Sequence, residues 1–237
     1  MADFYGQGVP DIVGFGEASI VIAKNKGDGT FDDPHDIPGL NQFTYVNGWH
    51  VDKHVRTFAN VAGAADFVGF GDDGVYVAIN NGNGTVKAAA EPVLKAFGYD
   101  QGWRAGRDIR IIADITGNGV GDIVGFGEHG VYVSRNRGRG AFDPAKLVMR
   151  DFGYLQGWRV EKHPRFVVDV TGNGCADIVG FGEKATYVAL NDRHGNFAPA
   201  QKLSEEFSWN KGWDPSKSVR YVLPRVWGKV TESPRNV

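Results

Sequence analysis

One six-residue phrase returns four times along the chain at an almost constant interval, and this limits the folds open to it. Asp-Ile-Val-Gly-Phe-Gly starts at Asp11, recurs as Asp-Phe-Val-Gly-Phe-Gly from Asp66, and returns at Asp122 and Asp177. The spacings are 55, 56 and 55 residues. Gly-Trp pairs keep the same period, ending on Trp49, Trp103, Trp158 and Trp213. So does an arginine that opens an apolar stretch, at Arg56, Arg110, Arg165 and Arg220. Three markers with one period describe an array of equal units, each too small to bury its apolar face alone.

Each unit reads as four short strands, A to D. In the third full copy, Arg165–Val170 is apolar and β-branched, Thr171–Gly174 is a turn, and Asp177–Gly182 is a second strand. Lys184–Asn191 alternates as a third, and Ala200–Phe207 closes the unit. Short strands, glycine and asparagine turns, and no helical periodicity predict an all-β chain. A four-stranded unit of this length is the size of a propeller blade. The expected fold is therefore a β-propeller of four four-stranded blades in a single domain, 1–237. The repeats run approximately 1–53, 54–107, 108–162 and 163–217, with 218–237 as closing strand and tail. In such a meander the A–B and C–D turns share one face. The B–C turns and the long D-to-A crossings, such as Phe152–Pro164, share the other.

Composition narrows the partners. The net charge of −2 gives no electrostatic reason to expect nucleic acid. No apolar run approaches the roughly 20 residues of a membrane span, so no membrane insertion is expected. The 34 glycines fall at fixed places, as tight turns require. The single cysteine, Cys175, has no partner for an intrachain disulfide. The opening residues lack the basic and apolar regions of a secretion signal, which predicts a cytoplasmic or non-classically secreted protein. The histidines are scattered without zinc-ligand spacing. Asn81–Gly84 is a hairpin turn and not a phosphate loop, since no Lys-Ser/Thr follows it.

The run Asp-Phe-Gly-Tyr-Leu-Gln-Gly-Trp-Arg-Val-Glu-Lys-His-Pro-Arg-Phe, residues 151–166, resembles a recurrent block of the Psathyrella velutina lectin family. So does Asp-Ile-Val-Gly-Phe-Gly-Glu followed by Gly-Val-Tyr-Val. The resemblance covers nearly the whole chain, one copy per repeat. It implies a propeller that binds N-acetylglucosamine and sialic acid in pockets between neighbouring blades. It also implies calcium in some A–B turns, as in FG-GAP propellers such as integrin heads. The family pattern has seven blades in one chain, and this chain has four repeats. A blade of a seven-bladed ring turns about 51°, of an eight-bladed ring about 45°, and of a four-bladed ring about 90°. Two chains completing one eight-bladed ring is thus one expectation. A compact four-bladed ring and a piece of a larger lectin are the others. The segment 219–226 reads as an extra strand A, whereas residues 1–11 keep an A–B turn pattern with little room for a strand A before it.

The crossings and B–C turns carry the candidate ligand residues. Tyr99, Trp103 and Arg104 fall in one crossing, Tyr154, Trp158, Arg159 and His163 in the next, and Trp49 and His54 in the first. Asp72, Asp73, Glu128 and Glu183 lie in the facing turns. Aromatic rings stack on the C–H face of a sugar, and fixed carboxylates and guanidiniums bind its hydroxyls. The same tryptophans read equally as wedges between blades. The copies differ. The second has Gly106-Arg107-Asp108 where the others have an acidic residue, lysine and histidine, and the fourth has Trp213-Asp214-Pro215. Two or three competent pockets are expected, and several weak sites on one face give avidity.

On the other face, Asp114, Thr116, Asn118 and Asp122 have the spacing of a calcium loop, repeated by Asp169, Thr171, Asn173 and Asp177. Calcium takes six to eight oxygens, and each loop offers two carboxylates. The alternative is a turn in which Asp and Asn bond their own backbone. By function class, a glycan-binding lectin without turnover leads. A protein-interaction scaffold using the same aromatic face is the alternative. A glycosidase is disfavoured because acidic residues repeat around the ring, whereas catalysis needs one asymmetric carboxylate pair.

Overall fold

A computed structural model describes residues 3–223. The chain is all-β, with fifteen strands in four antiparallel sheets and no α-helix among the described residues. The first sheet holds β1 (Ile12–Phe15), β2 (Ile20–Ala23) and β3 (His35–Asp36). The second holds β4 (Val55–Asn60), β5 (Ala65–Phe70), β6 (Val75–Asn80) and β7 (Val86–Ala88). The third holds β8 (Ile109–Ala113), β9 (Asp122–Gly127), β10 (Gly130–Ser134) and β11 (Lys146–Met149). The fourth holds β12 (Arg165–Val168), β13 (Asp177–Phe181), β14 (Thr186–Ala189) and β15 (Gln201–Ser204). Strand order follows chain order in every sheet, so each is a meander blade.

The four blades are the expected array. Among the described residues the first sheet holds three strands, its strand B, β1, pairing with β2 alone, and the other three sheets hold four. Of the expected closing strand, 219–223 form no strand with the described residues, and 224–226 lie outside the described residues.

The recurring phrase Asp-x-Val-Gly-Phe-Gly is strand B, and it is buried on both faces in the last three blades. Its aspartate fastens the blade. Asp122 accepts the N–H groups of Ile115 (3.0 Å) and Asn136 (2.7 Å). Asp66 and Asp177 repeat this, with Asn80 and Asn191 as the far donors, both at 2.9 Å or less. Each of these asparagines then reaches into the preceding blade. Asn80 Nδ2 donates to Phe4 O, Asn136 Nδ2 to Val61 O and Asn191 Nδ2 to Ile115 O, at 2.6–2.8 Å. A buried Asp and an Asn fourteen residues later thus tie strands B and C together and bolt neighbouring blades.

The crossings are ordered by single 3-10 turns such as Tyr154–Gln156 and by the recurring arginine of strand A. Arg56, Arg110, Arg165 and Arg220 each donate Nη1 to the carbonyl of Phe43, Phe97, Phe152 or Phe207, at 2.8–3.2 Å. Burial lowers Arg110 and Arg165 to about 10, since the charged form is costly to desolvate. Three core clusters fill the interfaces between blades one and two, two and three, and three and four. Among the described residues no cluster joins blade four to blade one.

Candidate functional site

The two glycines of Gly-Phe-Gly make room for the tryptophan of each crossing. A Cβ on Gly180 would stand 2.6 Å from the six-membered ring of Trp158, and one on Gly125 2.4 Å from that of Trp103. Gly69 stands in the same relation to Trp49. Each indole therefore lies against a strand B whose side chains are missing where it rests. The three rings are only 7–9% exposed. They act as wedges first, and their remaining edges line cavities at the blade's end.

Three such cavities repeat. The Trp158 cavity, about 260 Å³, is lined by Asp151, Gln156, His163, Glu183, Lys184 and Tyr187. The Trp103 cavity, about 200 Å³, is lined by Gln101, Arg107, Asp108, Glu128, His129 and Tyr132. The Trp49 cavity, about 270 Å³, is lined by Gln42, Asn47, His54, Asp72, Asp73 and Tyr76. These volumes fall below the roughly 300–1,000 Å³ of drug-sized sites and suit one small polar ring. A larger open cleft beside blade one is bounded by Phe15, Glu17, Tyr45, Val51 and Arg56.

The polar groups are held in place. His54 Nε2 lies 3.1 Å from Asp72, and His163 Nε2 lies 3.1 Å from Glu183. Lys53 also contacts Asp72 at 2.8 Å and, with His54, holds that carboxyl below its usual range. In the Trp103 cavity, Arg107 contacts both Asp108 (3.0 Å) and Glu128 (3.3 Å). Tyr76 donates to Asp73 at 2.7 Å, and burial, reinforced by that carboxylate, pushes its pKa up to about 12. Asp151 accepts the Trp158 indole N–H at 3.2 Å. Ala96 stands at the matching position before Trp103.

The structure therefore brings Trp49, His54, Asp72, Trp103, Glu128, Trp158, His163 and Glu183 to cavity walls. It places Tyr99, Arg104, Tyr154 and Arg159 elsewhere. The Tyr99 ring is covered by the guanidinium of Arg104 (3.7 Å) and the ammonium of Lys53 (4.2 Å). Arg159 lies 3.7 Å over Tyr154 and Arg107 5.8 Å from it. These tyrosine faces are used by cation–π contacts within each crossing and from the preceding one. Trp213 ends the last crossing, and no described blade follows it to form a cavity.

In the A–B loops the aspartates and asparagines bond their own backbone. Asp114 accepts the backbone N–H groups of Thr116, Gly117, Asn118 and Gly119, at 2.6–3.2 Å. Asp169 accepts those of Gly172, Asn173 and Gly174, at 2.7–3.2 Å. The side-chain oxygens of Asn118 and Asn173 turn back onto the N–H groups of Val120 and Cys175. Among the described residues no three His, Cys, Asp or Glu side chains converge as a metal site. These bonds give the Asp and Asn of both loops a backbone-ordering role, the alternative to calcium that the same spacing allows.

No family model and no curated protein matches the chain. The chain is similar to a solved lectin from Agrocybe aegerita, described for its specific recognition of non-reducing terminal N-acetylglucosamine. Identity is 50% over 90% of this chain, with a TM-score of 0.85. The chain spans about half of that lectin, 54% of its length. A second likeness, to a Photorhabdus luminescens Tc holotoxin pore, has 18% identity and a TM-score of 0.58, covering 86% of this chain and 9% of that one. It concerns the fold alone.

Several cavity residues escape a reading for charged and aromatic crossings. Tyr76, Tyr132 and Tyr187 all stand on strand C, each paired opposite the first glycine of Gly-Phe-Gly, Gly69, Gly125 or Gly180. Their signal was the recurring Val-Tyr-Val and its analogues, which reads as strand alternation. Gln101, Gln156 and Asn47 precede Gly-Trp in their crossings and carry an amide at one fixed place.

Proposed function

We propose that this chain is a non-enzymatic lectin that binds terminal N-acetylglucosamine in the Trp49, Trp103 and Trp158 cavities. The observation that carries this reading is its 50% identity, over 90% of its length, to a lectin described for that recognition. The cavity walls support it. Each offers an indole edge, a tyrosine, an amide at Gln101, Gln156 or Asn47, and a fixed turn carboxylate. Amide and carboxylate groups bind hydroxyls and an acetamido group, and the aromatic surface takes the ring's C–H face. The finer assignment to the Psathyrella velutina lectin family rests on the long motif at residues 151–166. Sialic acid is a weaker ligand in this reading, because each cavity already presents Asp or Glu and a carboxylate sugar would meet like charge.

Titration of N-acetylglucosamine by calorimetry tests the proposal, with a glycan array as the second measurement. Heat with three sites per chain, weaker heat with sialic acid, and no release of product from a chromogenic glycoside is the expected result. Silence with every glycan at millimolar ligand overturns it and moves the aromatic face to a peptide-binding role.

A further inference from the structure

The three cavities share one structural need and meet it in two ways. In each, a backbone N–H just after the tryptophan must find an acceptor. His50 N donates to His54 Nδ1 at 3.0 Å, and Arg159 N donates to His163 Nδ1 at 3.1 Å. Nδ1 is therefore unprotonated, the ring proton sits on Nε2, and Nε2 donates to Asp72 or Glu183. In the Trp103 cavity the corresponding N–H, that of Arg104, goes to Asp108 Oδ2 at 2.8 Å. The turn carboxylate, Glu128, is met by Arg107 Nη1, while Arg107 Nε holds Asp108. An acceptor and a donor on two residues replace the two nitrogens of one imidazole.

Imidazole plays both parts only while neutral. Protonation places a hydrogen on Nδ1, directly facing the His50 or Arg159 N–H, and two donors then oppose each other in a buried site. The turn that carries Trp49 or Trp158 must open. The arginine and aspartate have no such state. We propose that the chain carries two classes of glycan pocket: the Trp49 and Trp158 pockets, released by mild acid, and the Trp103 pocket, which keeps its geometry. This rests on the glycan-binding reading above.

The surroundings bear on the sign. His54 is 5% exposed and is faced by Asp72 across the turn, by Lys53 and His50 from its own crossing, and by the Trp49 ring. Tyr99 and Asp100 of the next crossing lie beside Lys53. His163 is 3% exposed and is faced by Glu183, Arg165, Lys162 and the Trp158 ring. Burial holds both imidazoles below the usual value of 6.5, outweighing the carboxylate partners. Binding by these two pockets is therefore complete above pH 6.5 and is lost as pH falls through the folded values.

Tryptophan indole resonances, recorded during N-acetylglucosamine titrations at about pH 7.5 and about pH 5, read the pockets one by one. We expect the Trp49 and Trp158 signals to need at least about tenfold more sugar in acid, and Trp103 to change by less than about twofold. Equal weakening of all three, or weakening of none, overturns the two classes while leaving the lectin reading intact. No response at either pH overturns the lectin reading and this proposal with it. The exchange K162R with H163D should make the Trp158 pocket indifferent to acid. Should that variant fail to fold, the wild-type amides decide: those of His50 and Arg159 must shift with the imidazole titration while that of Arg104 stays.

Discussion

Gly180 shows how much a missing side chain can do. A methyl group there would stand 2.6 Å from the Trp158 ring and 2.8 Å from the Phe152 ring, both packed and without room to move. Gly180→Ala should therefore destabilise the chain by about 1–3 kcal/mol, the cost of overpacking a filled core. It should also push Trp158 into its cavity and weaken sugar binding there alone. Gly106 has nothing within 4 Å of a built Cβ and an ordinary backbone, so Gly106→Ala should stay within about 0.5 kcal/mol. Denaturant unfolding of both variants checks this, and equal stability would refute the packing account. At this scale the sequence was partly legible. The pairing of a Gly-Trp marker with a Gly-Phe-Gly marker was visible as period. That one exists to seat the other was not, because their contact joins residues 20 to 22 apart. The roles of Arg107 and Asp108 were hidden for a similar reason, since only the folded turn shows them taking the place of a histidine. Nor does any propensity announce that Phe97 and Phe152 take left-handed backbone with φ of 61° and 57°. Such backbone costs about 1–2 kcal/mol and persists where tertiary contacts over-determine it.

Among elements, the A–B loops are turns in which Asp and Asn bond their own backbone. Strand boundaries were readable from turn residues, and the predicted second strand of the last blade, Asp177–Gly182, is β13 with one residue more. The loops before those strands were ambiguous, because Asp and Asn at alternate positions serve a cation or their own backbone equally well. The structure resolves the donors: four N–H groups converge on Asp114 and three on Asp169. Asp169 is held below the usual carboxylate range by those bonds, although burial opposes them. Its ionised form is thus favoured by folding, and that contribution is present above the ordinary pKa and is lost as pH falls through the folded value. We expect millimolar calcium or EDTA to leave Tm unchanged within about 1 °C, where ligation of both loops would raise it by several degrees. Asp169→Ala should lower stability by about 1–2 kcal/mol with or without calcium, since the loss is of turn bonds comparable to a helix cap. Dependence of that loss on calcium would restore the metal reading.

Across the whole molecule, the two flanks of the blade array complement each other. Among the described residues β1 is a strand B paired on one edge alone, and Ile12 on it is 56% exposed, whereas strand B in the other three blades is buried. At the far flank, Arg220 makes the same bond to the fourth crossing that Arg56, Arg110 and Arg165 make to theirs. Arg220 is therefore held where the arginine of a strand A belongs, yet Tyr221 and Leu223 are 71% and 85% exposed and pair with no strand among the described residues. One flank offers an acceptor edge and the other a donor strand, with apolar side chains on both. Open edges of this kind template further pairing. A contact between unlike surfaces closes into a ring if the rotation allows and otherwise grows into a filament. Pairing would also set the Trp213 crossing of one copy beside the Glu17 turn of the other, the two halves from which the other cavities are built. We expect the 237-residue chain to run in light scattering at twice its 25.8 kDa, with a fourth sugar site per chain appearing only in the dimer. Tyr221→Lys together with Ile12→Lys should return it to a monomer while leaving binding at Trp103 unchanged. A wild-type monomer at high concentration would refute the pairing, and a mass that climbs with concentration would mean that the array extends without closing.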